Sequence, residues 1–254
     1  MYNFFHNILS DKTGGEIFTL FSPWHFLYIL LTTAAIISTL YFLKKKSSQE
    51  QTKAIQVFVN IAFGLYMADF FLMPLAYGRI DIDKLPFHAC TSMCVMCFAS
   101  NHNKFLAKYH TSFAMLGFIS NLVYLLYPAG VMWYNVHPLS YRVIQTLLFH
   151  SVMTVYCLLT LIYEREKISL KKIHRDLTVI VCLTLWAIIG SYVYSGEAEG
   201  YSNFFNWFFV VRDPFYMFPE SISKIIMPFL NIFLFFVAEV IIHLIISKTK
   251  KPNR

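Results

Sequence analysis

The chain is predicted to be an all-α, polytopic membrane protein: a bundle of seven transmembrane helices with its N-terminus outside and its C-terminus cytoplasmic. Three observations lead there. Of its 254 residues 57% are hydrophobic and only 14% charged, with a mean hydropathy of +0.54, well outside the usage of soluble domains. The apolar residues are collected into runs of roughly 20, the length that crosses a bilayer. The Lys and Arg residues alternate between two sets of loops, as the retention of positive charge on the cytoplasmic side requires.

The expected spans cover residues 23–43, 54–77, 85–100, 105–127, 141–163, 176–194 and 222–246, within a single integral membrane domain. The first follows Phe21-Ser22-Pro23-Trp24-His25, and the second carries a single acid, Asp69. The third, from Leu85, is the shortest and most polar, and the charge pattern is what retains it. With seven spans, 15 of the 21 basic residues fall on one side, in clusters such as Lys44-Lys45-Lys46 and Lys171-Lys172. Lys12, Arg79, Lys84, Arg142, Arg212 and Lys224 fall on the other, and removing the third span would break the alternation. The basic excess is thus a topology signal, and its short clusters argue against a nucleic-acid partner.

The first twenty residues lack a basic stretch ahead of an apolar core, so no cleaved leader is expected. All five cysteines lie in apolar segments, which suits reduced, buried thiols rather than a disulfide framework. The longest connection, 195–221, falls outside and holds nine aromatics between Tyr201 and Phe218. Too apolar for disorder, it reads either as an aromatic belt at the outer interface, the simpler alternative, or as a lid.

Polar residues inside the spans share one layer. Counted at about 1.5 Å per residue, His25, Asp69, His88, Asn121, His150 and Asn231 all fall within roughly nine residues of the outer end of their spans. In the fifth span Thr146, His150, Thr154 and Cys157 form one helical stripe; in the seventh, Lys224, Asn231, Glu239 and His243 form another. Such stripes turn from lipid toward a bundle interior, which predicts a polar cavity open to the outside. Any one of these residues is more often an interhelical hydrogen bond than a catalyst. Asp69, His88 and His150 together are the exception, since two imidazoles and a carboxylate at one depth can exchange protons. Glu239 and His243, one turn apart near the cytoplasmic end, read as a local structural pair.

Within Leu85-Pro86-Phe87-His88-Ala89-Cys90, Pro86 suits the first position of a helix and places His88 in its first turn. A neutral histidine in a dry pocket can accept a proton, as a general base must. Cys90 is the available nucleophile, but residues two apart on a helix do not face each other. Helical spacing puts Cys90, Cys94 and Cys97 on one packing stripe and His88 on the other side. Paired metal-ligand spacing, phosphate-binding glycine loops and hydrolase motifs do not occur, so neither metal nor cofactor is expected.

Phe21-Ser22-Pro23-Trp24-His25, Leu85-Pro86-Phe87-His88-Ala89-Cys90 and Phe149-His150, taken in order, resemble the YwaF-like integral membrane proteins of bacteria. That family's forms are close to L-P-L-H-x-C and H-G; Ser151 stands here where the glycine often does. Asp213-Pro214-Phe215-Tyr216 and the Pro86-x-His88 arrangement resemble the related eukaryotic transmembrane acyltransferases that remodel ether phospholipids. The resemblance implies a lipid partner, a bacterial plasma-membrane location and an acyl-transfer site of cysteine and histidine. In the eukaryotic branch the cysteine directly precedes the motif histidine, and Phe87 holds that position here. The candidate catalytic residues are therefore His88, His150, Asp69 and Cys90. His25, Asn121, Asn231, Trp207, Arg212 and Asp213 are the candidate pocket. Enzyme and non-enzymatic lipid or small-molecule binder or transporter both stay open.

Overall fold

A computed structural model describes residues 16–77, 82–132, 135–194, 207–211, 213 and 217–249. Among these the longer elements are all helices: α1 Pro23–Leu43, α2 Ser48–Tyr77, α3 Ala89–Ser100, α4 His110–Leu126, α5 Tyr141–Tyr163, α6 Ile173–Val193 and α7 Glu220–Thr249. Among the described residues five stretches are long and apolar enough to cross a membrane: Pro23–Leu43, Ser48–Leu75, Tyr141–Tyr163, Leu170–Val193 and Ser221–Thr249.

The other two expected spans are shorter. At 1.5 Å per residue, the 12 residues of α3 and the 17 of α4 extend roughly 18 and 25 Å against a hydrocarbon core of about 30 Å. Each loses its first turn for a local reason. Leu85, Pro86, Phe87 and His88 form a turn ahead of α3 instead of its opening. The start of the fourth is a separate single-turn helix, Lys104–Ala107, capped by the Asn103 side chain, with the chain turning again before His110.

Contacts divide the chain into two compact units: Met1–Lys84 with Ser120–Tyr163, and Leu85–Ile119 with Glu164–Arg254. In the first, α5 is the core helix. Its apolar window is 67% buried, against 11% for α1, and both α1 and α2 pack on it. Phe18, Leu125, Val131, Val136, Val143 and Leu147 form an apolar cluster. The start of α1 is built by its own sequence. Ser22 is the N-cap and accepts from the His25 N–H, Pro23 takes the first helical position, and His25 Nδ1 accepts from the Phe21 N–H at 3.1 Å. That arrangement holds Phe21 at φ 59°, in the left-handed region. Further along, the hydroxyls of Thr32 on α1 and Ser151 on α5 lie 2.6 Å apart.

In the second unit α6 and α7 pack together, and the turn Trp207–Phe209 rests on both. Phe87 is its keystone. Its ring stacks between Trp186 and Trp207, with centroids 4.7 Å away on either side. Gly190 makes room for it: a Cβ there would stand 2.4 Å from the ring. The Pro86 carbonyl accepts from Trp186 Nε1 at 2.7 Å and from Ser92 Oγ. Trp207 and Phe208 are buried, so this part of the aromatic loop packs inward and is not the interfacial belt that the composition favoured. Residues 195–206, 212 and 214–216 of that loop lie outside the described residues. At the other end of α3, Ser100 Oγ bonds His110 Nδ1 at 2.7 Å and ties the helix to the start of α4.

Gly190→Val should therefore destabilise the protein by about 1–3 kcal/mol, the cost of overpacking a filled site. Adding Phe87→Ala should recover part of that loss. Thermal unfolding of the purified full chain in detergent measures both.

Candidate functional site: polar clusters within the helices

In the first unit the buried acid is already paired. Asp69, 2% exposed, receives Lys84 Nζ on Oδ2 at 2.9 Å and the Tyr141 hydroxyl on Oδ1 at 3.0 Å. Tyr66, one turn before Asp69 on α2, donates its hydroxyl to the Lys84 carbonyl at 3.0 Å. Two residues of one helix face thus grip Lys84 by side chain and backbone. The sequence reading named Asp69 and missed Lys84 and Tyr141. The signal for Lys84 was available: a lone acid in a span calls for a cation at its depth, and Lys84 opens the next segment from the same side.

His150 is buried on α5, its ring stacked on Tyr124 at 3.8 Å between centroids and 9° between planes. Its Nδ1 lies 2.7 Å from the Thr146 carbonyl, an oxygen that can only accept. Nδ1 therefore carries the proton, and the lone pair of the neutral ring is on Nε2, the atom that would act as base. His25, 0% exposed, has the opposite tautomer. Its Nε2 donates to the Leu125 carbonyl at 2.8 Å while Nδ1 accepts from Phe21. Both nitrogens are engaged in holding the start of α1 to the end of α4. Asn121 is fully buried one turn before Leu125. His25, Asn121 and His150 are thereby gathered around the last turns of α4.

The second unit holds the remaining candidates. His88 is the N-cap of α3, with φ −75° and ψ 147°, and its carbonyl accepts from the Ser92 N–H at 2.9 Å. This corrects the sequence reading: Pro86 precedes the helix, His88 is not in a helical turn, and helical spacing says nothing about how it faces Cys90. The expected packing stripe is present in Cys94 and Cys97, both fully buried, with Cys90 half-buried. None of the five cysteines forms a disulfide.

Two of the candidate pocket residues serve the backbone. Asp213 accepts from the Met217 and Phe218 N–H groups at 2.8 and 3.0 Å, securing the approach to α7. Asn231 donates to the carbonyls of Phe208 and Phe209, at 2.6 and 3.3 Å. Those residues have φ of 54° and 52°, and the amide holds this strained turn in place. Trp207 is fully buried against Phe87, and Arg212 lies outside the described residues. Glu239 and His243 are not the pair expected: His243 Nε2 bonds Asp176 on α6 at 2.6 Å.

Five bilayer-length apolar helices with polar side chains gathered inside them define a multi-pass helical membrane protein. Residues 20–249 match the model of the TMEM164 family, and the chain belongs to that family. Comparison with curated proteins and with solved structures returned no match.

The Asp69–Lys84 pair should behave as a coupled unit. In a double-mutant cycle with Asp69→Asn and Lys84→Met, unfolding in detergent should show a coupling of about 1–3 kcal/mol, because each single change strands a partner out of water.

Proposed function

We propose that the protein acts on an acyl group of a membrane lipid in the outer leaflet, by transfer or by hydrolysis. The observation that carries this reading is the His150 ring, buried on α5, stacked on Tyr124 and fixed by Thr146 so that Nε2 is its basic atom. A group so held suits proton transfer at an ester, where a general acid or base contributes roughly 10²–10⁴-fold. His88 would serve as base and His150 as second acid/base or orienter. Asp69, with Lys84, supplies a fixed charge pair. Cys90 is the nucleophile in a covalent route: its proton passes to a histidine, sulfur attacks the ester carbon, the alcohol leaves, and water or an acceptor hydroxyl then takes the acyl group. Asn121 and Arg212 would line the lipid pocket, while His25, Asp213 and Asn231, with Trp207 packed on Phe87, hold the segments around it. The likeness of the Leu85–Cys90 and Phe149–His150 motifs to YwaF-like proteins and eukaryotic ether-phospholipid acyltransferases supports the same reading. The loop-charge pattern favours seven crossings with the N-terminus outside, and the likeness to YwaF-like proteins implies a bacterial plasma membrane.

One observation favours a second reading, a lipid or small-molecule binder or transporter without chemistry. Phe87 stands where the acyltransferase relatives carry cysteine, and it is locked between Trp186 and Trp207. No nucleophile can act from that position.

Cells expressing the wild type should differ in lipid acyl composition from cells lacking it, and His150→Ala and His88→Ala should each abolish the difference at equal protein level. Untargeted lipidomics decides, and a lipid profile identical in wild type and both variants sinks the enzymatic reading. Cys90→Ser separates the routes, since full retention of the lipid change excludes the thioester. For the topology, cysteines placed at Ser195 and Ser247 should react with impermeant reagent from opposite sides; labelling of both from one side overturns seven crossings.

A further inference from the structure

Away from the residues given a role in the proposed lipid chemistry, α7 carries a buried carboxyl group with no hydrogen-bond partner among the described residues. Glu239 is 0% exposed, and neither of its side-chain oxygens meets a hydrogen-bond partner among the described residues. One turn on, on the same face of α7, His243 is buried and bonded through Nε2 to the buried Asp176 of α6 at 2.6 Å. Through His243, Asp176 is brought to the face of α7 that carries Glu239. An ionised carboxylate buried with no donor and with a second carboxylate on the same face carries a large desolvation cost. The neutral acid avoids most of it.

The groups around Glu239 are few. α7 packs on α6 and on the turn Trp207–Phe209; α6 supplies Asp176 and the turn supplies no titratable group. Lys248, further along α7, is exposed, as is His174, and Arg175 is bonded to the Lys108 carbonyl.

We propose that Glu239, Asp176 and His243 form a proton-carrying site within the second unit, the Glu239 acid holding an exchangeable proton and the Asp176–His243 pair receiving it. In the transfer the Glu239 O–H bond breaks and an O–H forms on Asp176. The total charge of the three groups is unchanged, and no co-reactant is needed. The site gives the protein a means of coupling its state to protons that is independent of any lipid chemistry.

Dicyclohexylcarbodiimide tests this, because it partitions into bilayers and adds to protonated carboxyls. The acid proton moves to a carbodiimide nitrogen, the carboxyl oxygen bonds the central carbon, and an acyl shift yields a stable N-acylurea. The full chain in lipid vesicles is treated across a pH series and mapped by peptide mass spectrometry. Glu239 should be modified several-fold more than the exposed Glu50 and Glu166, with labelling lost as the pH rises and unaffected by added Na⁺ or K⁺ at fixed pH. His243→Gln should move the pH at which labelling halves. Glu239→Gln, which replaces a neutral acid by a neutral amide, should keep the wild-type melting midpoint in detergent. An unlabelled Glu239, labelling indifferent to pH, protection by Na⁺ or K⁺ instead of by pH, a midpoint unmoved by His243→Gln, or a marked loss of stability in Glu239→Gln would each overturn the assignment.

Discussion

Hydrocarbon offers no hydrogen bonds, and the placement of polar groups in this protein follows from that. Every polar atom in a span must be satisfied by the chain itself. The hydroxyls show the rule most simply. Thr154, Thr160, Thr184 and Ser191 each donate to the carbonyl four residues back in their own helix. The charged groups obey it by pairing, Asp69 with Lys84 and Asp176 with His243. Glu239 breaks it: both its oxygens are buried and meet no hydrogen-bond partner among the described residues.

The same constraint explains why so many residues that attract notice in the sequence turn out to hold backbone. Where the chain leaves a helix, its N–H and C=O groups lose their regular partners. Side chains replace them: His25 at the start of α1 and the end of α4, Asp213 before α7, and Asn231 on the strained turn at Phe208 and Phe209. What distinguishes His150 is the direction of its bond. His150 donates from Nδ1 to its own helix, which puts the lone pair of the neutral ring on Nε2, whereas His25 donates from Nε2 and accepts on Nδ1.

Shape is decided by rings. Phe87 fills the space between Trp186 and Trp207 because Gly190 lacks a side chain, and the Pro86 carbonyl beside it takes the indole N–H of Trp186. The turn ahead of α3, and with it the N-cap position of His88, is set by this packing. That is why the proline rule for helix starts, applied to Leu85–Cys90, placed the helix three residues too early.

Length, hydropathy and 3.6-residue periodicity determined by themselves that this is an all-helical membrane protein, where its long helices run, and that Thr146, His150 and Thr154 face inward. These are properties of a helix in lipid, where the backbone is satisfied locally and each residue's environment depends on its angle about one axis. Partner choice was not legible. Asp69 finding Lys84 and Tyr141, His243 finding Asp176 instead of Glu239, and the short α3 and α4 all depend on where one helix meets another segment. That is fixed by packing between residues distant in the chain, such as Gly190 against Phe87, and only the tertiary structure carries it.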